Sequence, residues 1–299
     1  MSNLHDSTLR LIYPQWQGGD IAAWFPDLSP KEAAQGYILG AQILNLLVDS
    51  IHTSANSAVV NVAQEFSLNS AKQRIVEDGI IDKSALLRQS EAVLSILNAR
   101  KPSRVLTLGG ECAVSVPSFC YLANLYADDV ALLWIDAHPD IGLPYDDFYK
   151  GYHAMAMSAI IGRGGLRESF ALPASLKGSR ALLVGLHSNE AEHYASRQKE
   201  FGLKSLLADE VDCPKILEWL KSLGCKKVMI HLDLDVLDAK ELYIAVGNTG
   251  KLSIAQVSQI IQSVAREYDV VGLSIAEHFP KAQIKLRGLL QDLPLIKES

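Results

Sequence analysis

Cysteine is scarce in this 299-residue chain. There are four, Cys112, Cys120, Cys213 and Cys225, and no two stand in CxxC spacing. That argues against a disulfide framework and points to a reducing, cytoplasmic setting. Positive charge is not in surplus either: 28 Lys and Arg stand against 34 Asp and Glu, a formal net charge of -6. The balance gives no support to nucleic acid or a polybasic membrane contact as partner. No window holds the roughly 18 uninterrupted apolar residues of a membrane span. The opening "MSNLHDSTLRLIYPQW" has no basic stretch followed by an apolar one, so no signal peptide is expected. Neither GxxxxGK[ST] nor a strand-borne GxGxxG occurs, and "GRGG" at 162–165 fits neither phosphate loop. Internal repeats and low-complexity linkers are also missing.

What the chain does have is apolar bulk. Hydrophobic residues make up 48%, enough to bury a sizeable core in one large α/β domain or two smaller ones. Short apolar runs read as strands at 9–13, 58–62, 104–108, 130–136, 180–186, 227–235 and 270–277. Amphipathic stretches lie between them. In "SIAQVSQIIQSVAREY", Ile254, Val257, Ile260, Ile261 and Val264 recur at helical spacing and Ser253 stands as N-cap. Strand–helix alternation along the whole chain predicts an α/β fold: a three-layer α/β/α domain over 1–299, built on a mostly parallel sheet of about eight strands. In such sheets ligands bind beyond the carboxyl ends of the strands. The residues just after each apolar run are therefore the place to look for chemistry.

Three strand ends carry ionisable groups. In "WIDAHPD", Asp136, His138 and Asp140 start on one side of an extended chain, with Pro139 bending the path. In "HLDLDVLD", Asp233 and Asp235 share a parity opposite to Leu232 and Leu234. Carboxylates gathered at the end of a buried strand need a counter-charge, and a divalent metal supplies one. These oxygen and nitrogen donors suit Mn²⁺, Mg²⁺ or Zn²⁺, and the mostly hard oxygen set favours Mn²⁺. In "LGGECAVS", Gly109 and Gly110 allow a tight turn and Cys112 opens a helix, where a nearby cation lowers a thiol pKa enough to make it a ligand.

"DAHPD" and "HLDLDVLD" resemble the second and third signatures of the ureohydrolases, the arginase, agmatinase and formimidoylglutamase family. "LRLIYPQWQGGD" at 9–20, "YHAMAMS" at 152–158 and "SIAEHFP" at 274–280 resemble further family segments in the family's order, so the likeness runs from about residue 9 to 280. The resemblance implies an arginase-like fold and a metal-dependent hydrolase of non-peptide C–N bonds in linear amidines or guanidines. It implies a binuclear manganese pair. One metal would be held by Asp136, His138, Asp233 and Asp235, the other by Asp136, Asp140, Asp233 and the residue at Cys112. It further implies a metal-bridging hydroxide as nucleophile, His153 as proton donor, and Glu277 beside the substrate cation. A small cationic guanidine or amidine would be the partner, and the protein would assemble as a trimer or hexamer.

The chain also departs from that pattern. The family's Gly-Gly-Asp-His signature reads Gly-Gly-Glu-Cys here. Cys112 is then a thiolate ligand that moves metal preference toward zinc or iron, a neutral buried thiol that leaves one metal, or the mark of a decayed site. Gly142 stands where arginases place an asparagine, and the loop that follows carries Asp146, Asp147 and Tyr149. "AKELYIAVGNTGKLS" lacks the family's proline. Both differences weaken the case for L-arginine. The acidic loop residues suit a second substrate cation or are solvated charge. His231 reads as a neighbour of the metal ligands or as a core histidine, and His187, Glu190 and Glu192 as substrate contacts or surface groups. A non-catalytic or mononuclear member acting by binding is the alternative from another class. A zinc hydrolase of acylated amines is a second enzymatic one.

Overall fold

Every residue of the run Val130–Ile135 is buried, and its side chains divide between two cores. Val130, Leu132 and Trp134 join one cluster, while Ala131, Leu133 and Ile135 join the other. A strand that is apolar on both faces must have a layer on each side, which is why it reads as an unbroken hydrophobic run and not as an alternating one. The computed structural model describes residues 5–25, 27–54, 56–64, 74–244, 250–291 and 293–296.

Eight strands form the central sheet: β1 (His5–Tyr13), β2 (Ser57–Val59), β5 (Pro102–Gly109), β6 (Val130–Ile135), β7 (Ala181–Leu186), β8 (Lys204–Leu207), β9 (Lys227–Asp233) and β10 (Asp269–Ala276). The other two, β3 (Val76–Glu77) and β4 (Ile80–Ile81), make a small antiparallel pair. The sheet order is β2-β1-β5-β10-β9-β6-β7-β8, and every pairing is parallel. The expected parallel α/β architecture is therefore present. Strands β5 and β6 follow one another in sequence yet are parted by β10 and β9. The chain leaves β6 toward β7 and leaves β9 toward β10, in opposite directions, so the carboxyl ends of this neighbouring pair border a crevice.

Helices cover both faces. Pro30–Ile51, Lys83–Arg100 and Ser115–Tyr126 contribute Tyr37, Val93, Leu97 and Phe119 to the first core. Cys213–Leu223 and Ile254–Glu267 contribute Ile216, Leu220, Val257, Ile260 and Val264 to the second. Each fully buried side chain of this size contributes about 1.5–3 kcal/mol of transfer free energy. Ser253 is the N-cap expected: its hydroxyl accepts the Gln256 N–H at 3.1 Å, and the Gln256 side chain accepts the Ser253 N–H at 2.9 Å. Ile254 faces solvent and Ile261 is half-buried, so three of the five periodic positions form the buried stripe.

Several boundaries differ from the sequence expectation. The second strand ends at Val59 rather than 62. The runs 130–136 and 227–235 stop at Ile135 and Asp233, because an aspartate at each end turns the chain. Cys112 opens a 3-10 turn, Cys112–Val114, that leads into the helix from Ser115. Five residues of the "AKELYIAVGNTGKLS" loop, 245–249, lie outside the described residues. Among the described residues no helix is long and apolar enough to cross a membrane.

Candidate metal centre and its cavity

The two-residue spacing of the acidic signatures has a local cause. Asp136 follows β6, and its Oδ1 accepts the N–H of His138 at 2.6 Å. Asp233 ends β9, and its Oδ1 accepts the N–H of Asp235 at 2.7 Å. In each case a carboxylate at a strand end bonds the amide two residues on, which closes a turn and brings both side chains over the strand ends. The same device on two neighbouring strands sets Asp136, His138, Asp233 and Asp235 around one point.

Two tight sets of donor atoms result. Cys112 Sγ, His231 nitrogen and carboxylate oxygens of Asp136 and Asp233 lie within 4.8 Å of one another, as do donors of Asp136, His138 and Asp235. Cys112 Sγ is 3.0 Å from Asp233 Oδ2, and His138 Nδ1 is 2.9 Å from Asp235 Oδ2. Asp140 lines the same cavity but falls outside both tight sets. Its backbone is left-handed, at φ 49°, and its carbonyl accepts the Met157 N–H at 3.0 Å.

The electrostatics of this cluster are unfavourable for the bare side chains. Burial first, then neighbouring carboxylates, push Asp140 and Asp233 well above the usual carboxylate range. Burial raises Asp235 to about 6, against the opposing pull of His138. Burial, with Asp233 beside it, also holds the Cys112 thiol well above its ordinary value. For His138 burial works downward, yet the Asp235 and Asp136 carboxylates outweigh it and the pKa rises. Asp140 Oδ2 and Asp235 Oδ1 are buried with no hydrogen-bond partner among the described residues. A buried acceptor left unpaired costs about 1–3 kcal/mol. Crowded carboxylates, a thiol and imidazoles with orphaned lone pairs form a donor set that fits divalent cations.

Above the cluster is a cavity of about 530 Å³. Its walls include His153, Glu277, Tyr149, Glu190 and Tyr194, together with the exposed rings of Trp24 and Phe148. No lysine or arginine lines it among the described residues. Glu277 follows β10 with a left-handed φ of 66°, a conformation that costs a non-glycine residue energy and recurs at functional sites. Its Oε1 accepts the Cys112 N–H at 3.2 Å, and its Oε2 accepts a short hydrogen bond from the Tyr37 hydroxyl. His153 Nδ1 lies 3.5 Å from Glu277 Oε1, and Nε2 lies 2.8 Å from the Tyr149 hydroxyl. Burial draws the His153 pKa down, but the hydrogen bond and charge of Glu277 raise it on balance.

The structure thus brings Cys112, His138, Asp140, His153, Asp233, Asp235 and Glu277 to one cavity, with Asp136 held against the donors at its base. Other candidates separate. Asp146 is buried and pairs with Arg197 at 2.6 and 2.7 Å, so it serves the loop and not the cavity. Asp147 and Glu192 are exposed and His187 caps a short helix, accepting the Asn189 N–H at 3.3 Å. Glu190 does line the cavity. Nothing in the sequence singles out Tyr37, Phe148 or Tyr194, and Trp24, which reads as core, is 62% exposed at the cavity. Trp24, Tyr37 and Tyr194 come from turns or a helix remote from the signatures, whereas Phe148 lies in the loop just after the first of them, between Asp147 and Tyr149. Glu111 was likewise passed over. It is buried beside the site, its pKa raised by burial to about 7, and it accepts the Gln15 amide at 2.6 Å and the Ala113 N–H at 2.7 Å.

Comparison with known proteins agrees with this geometry. The Arginase family model matches residues 47–287. Among curated proteins, the chain is similar to Arginase 2, chloroplastic/mitochondrial, of Arabidopsis thaliana, 30% identical over 213 residues that cover 70% of this chain and 57% of that one. It is similar also to the arginase of Glycine max, 29% identical over 218 residues that cover 71% and 56%. The chain therefore spans a little over half the length of these curated relatives. Among solved structures, Entamoeba histolytica arginase in complex with L-ornithine superposes with a TM-score of 0.71 at 13% identity, covering 97% of this chain and 96% of that one. Bacillus subtilis formimidoylglutamase superposes with a TM-score of 0.63 at 14% identity, covering 94% and 82%. At such identities the structural likeness speaks for the fold.

Proposed function

Because the chain belongs to the arginase family, its model matching residues 47–287, we propose that it is a metal-dependent hydrolase of non-peptide C–N bonds in linear amidines or guanidines. One observation carries this reading: both donor sets reach, through Cys112 and Asp233 and through His138 and Asp235, a cavity whose wall holds His153 and Glu277. Cys112, Asp136, His138, Asp140, Asp233 and Asp235 are the metal ligands in this reading, and manganese is the metal that the oxygen-rich part of the set favours. Divalent cations bound there supply Lewis acidity, which activates water for attack near neutral pH.

The chain's own groups supply the rest. Glu277, pinned by Tyr37 and by the Cys112 amide, offers a fixed carboxylate to the substrate cation. His153, held between Tyr149 and Glu277, delivers a proton to the leaving nitrogen.

Cavity charge narrows the substrate. Beyond the metal ligands, the carboxylates of Glu277 and Glu190 line it, and no lysine or arginine among the described residues does. A substrate carboxylate finds no partner there, so amidines and guanidines without one are favoured over L-arginine. We assign residues 1–299 to a single domain, since β1, near one edge, and β10, at the centre, belong to one sheet. A homo-oligomer in a reducing cytoplasm completes the reading and suits the four free thiols. The test is a product assay, for urea or a related small product, on the manganese-loaded protein with paired guanidines and amidines that differ only in a carboxylate. Faster turnover of the carboxylate-free member is expected. No turnover of any member, with metal bound, would sink the hydrolase reading and favour a protein that acts by binding.

A further inference from the structure

His231 is fully buried on β9, on the same face as Asp233. Its ring stacks on Trp134 with centroids 3.6 Å apart and planes 14° apart. A histidine packed in a core normally finds a partner for each nitrogen. Here Nδ1 has one, the Ser115 hydroxyl at 2.8 Å, while buried Nε2 has none among the described residues. The nearest acidic atom is Asp136 Oδ2 at 3.9 Å, beyond hydrogen-bond range.

Proton bookkeeping sharpens the point. Ser115 gives its hydroxyl proton to Ser274 Oγ at 2.7 Å, so it accepts from Nδ1–H. Nε2 then carries a bare lone pair aimed toward a carboxylate. If the other tautomer were present, Nε2–H would still have no acceptor in reach. Asp136 Oδ2 already accepts the Trp134 indole N–H, so Nε2 is the atom left unfilled, and a cation between the two would take a lone pair from each. Two further donors, Cys112 Sγ and an Asp233 oxygen, lie with them in the same 4.8 Å set.

We propose that His231 is a metal ligand and that Cys112, Asp136, Asp233 and His231 form a four-donor pocket for a zinc- or iron-type divalent ion. The proposal rests on the metal-dependent reading of this cavity and deepens it. One sulfur, one nitrogen and two oxygens are the donors of a tetrahedral, borderline-soft site. The neighbouring Asp136, His138 and Asp235 set has no sulfur. The chain thus pairs two sites of unequal softness, and Asp136 belongs to both. Its Oδ1 turns toward His138 and its Oδ2 toward His231. Trp134 positions both ligands of the softer site at once: it stacks on His231 and donates its indole N–H to Asp136 Oδ2 at 2.8 Å.

Zinc-edge X-ray absorption on the full chain carrying two zinc ions tests this without any assay of activity. The proposal expects one sulfur at about 2.3 Å shared over the two zincs, and on average one imidazole per zinc, from His138 and His231. A spectrum with no sulfur, or with half an imidazole per zinc, overturns it while leaving metal dependence intact. In parallel, His231→Gln and Cys112→Ser are each expected to weaken one of the two zinc sites at least tenfold and to leave the other. Two unchanged sites in a folded His231→Gln protein also overturn the proposal. If that variant fails to fold, the wild-type spectrum decides. A chain that binds no metal removes both this proposal and the hydrolase reading. Binding through His231 without turnover of any amidine removes the hydrolase reading alone.

Discussion

The Tyr149 hydroxyl and His153 Nε2 meet at 2.8 Å, and the same hydroxyl accepts the Asp20 N–H at 3.1 Å. When the phenol donates to Nε2, the neutral imidazole carries its proton on Nδ1, facing Glu277. Removing the imidazole as His153→Asn is expected to lower kcat on a confirmed substrate by about 10²–10⁴. Tyr149→Phe keeps the ring and loses only the hydroxyl that orients His153, so a smaller fall in kcat is expected. Steady-state kinetics on both variants checks the ranking. Equal activity in wild type and His153→Asn would remove His153 from the chemistry.

Much of this architecture is legible in the sequence because the physics that sets it is local. Val130–Ile135 is apolar throughout because both its faces are covered. Asp136 and Asp233 announce the ends of β6 and β9 because a carboxylate there closes the next turn. What is set by distant contacts stays hidden. The edge strand Lys204–Leu207 is short and largely half-buried, with no alternation to reveal it. Tyr37 reaches Glu277 across 240 residues of sequence. The parity of His231 with Asp233 is visible in the chain, but the lack of a partner at its Nε2 is not.

Asp146 and Arg197 tie the loop after the first acidic signature to the helix Ala195–Phe201, and Asp146 also accepts the Leu143 N–H at 2.8 Å. Burial works to raise the Asp146 pKa, but the Arg197 hydrogen bonds and charge prevail and hold it below the ordinary carboxylate value. A depressed carboxylate contributes stability that is present above its unfolded pKa, about 3.9, and lost as pH falls through the folded one. Asp146→Asn is therefore expected to be less stable at neutral pH by about 1.5–3 kcal/mol. The gap from wild type should narrow as pH drops below about 4. Urea denaturation of the two proteins at neutral and acid pH measures it, and a gap that widens on acidification would contradict the assignment.

Gly40 marks where the helix Pro30–Ile51 meets the segment after β10. A β-carbon there would stand 1.7 Å from the His278 carbonyl oxygen, which is backbone and cannot swing aside. Gly40→Ala should gain helix propensity of about 1 kcal/mol yet lose more to displacement of 278–280, the stretch that follows Glu277. A net destabilisation of about 1–3 kcal/mol is expected, in the range for an overpacked contact. Thermal unfolding checks it. Gly288, also helical, has its nearest such neighbour at 3.5 Å, so Gly288→Ala serves as the tolerated control. Equal midpoints for the two variants would mean that the helix and the 278–280 segment are not locked together.

Removal of metal offers the most direct view of what holds the strand ends together. Asp136, Asp140, Asp233 and Asp235 are all buried, and His138 Nδ1 lies 2.9 Å from Asp235 and 3.6 Å from Asp136. A cation that binds only the folded chain adds stability of RT ln(1 + [L]/Kd), about 2.7 kcal/mol at a free concentration a hundred times Kd. Treatment with a chelator is expected to lower the thermal midpoint, and returning Mn²⁺ or Zn²⁺ should restore it in a concentration-dependent way. Asp235→Asn supplies the opposite case: it removes a ligand and also relieves repulsion among buried carboxylates. It should therefore respond less to the chelator than the parent protein does, and be at least as stable as the parent once both are stripped. A midpoint that does not move on chelation, with metal removal verified by elemental analysis, would mean that the cluster is held by protonated carboxyl groups and not by an ion.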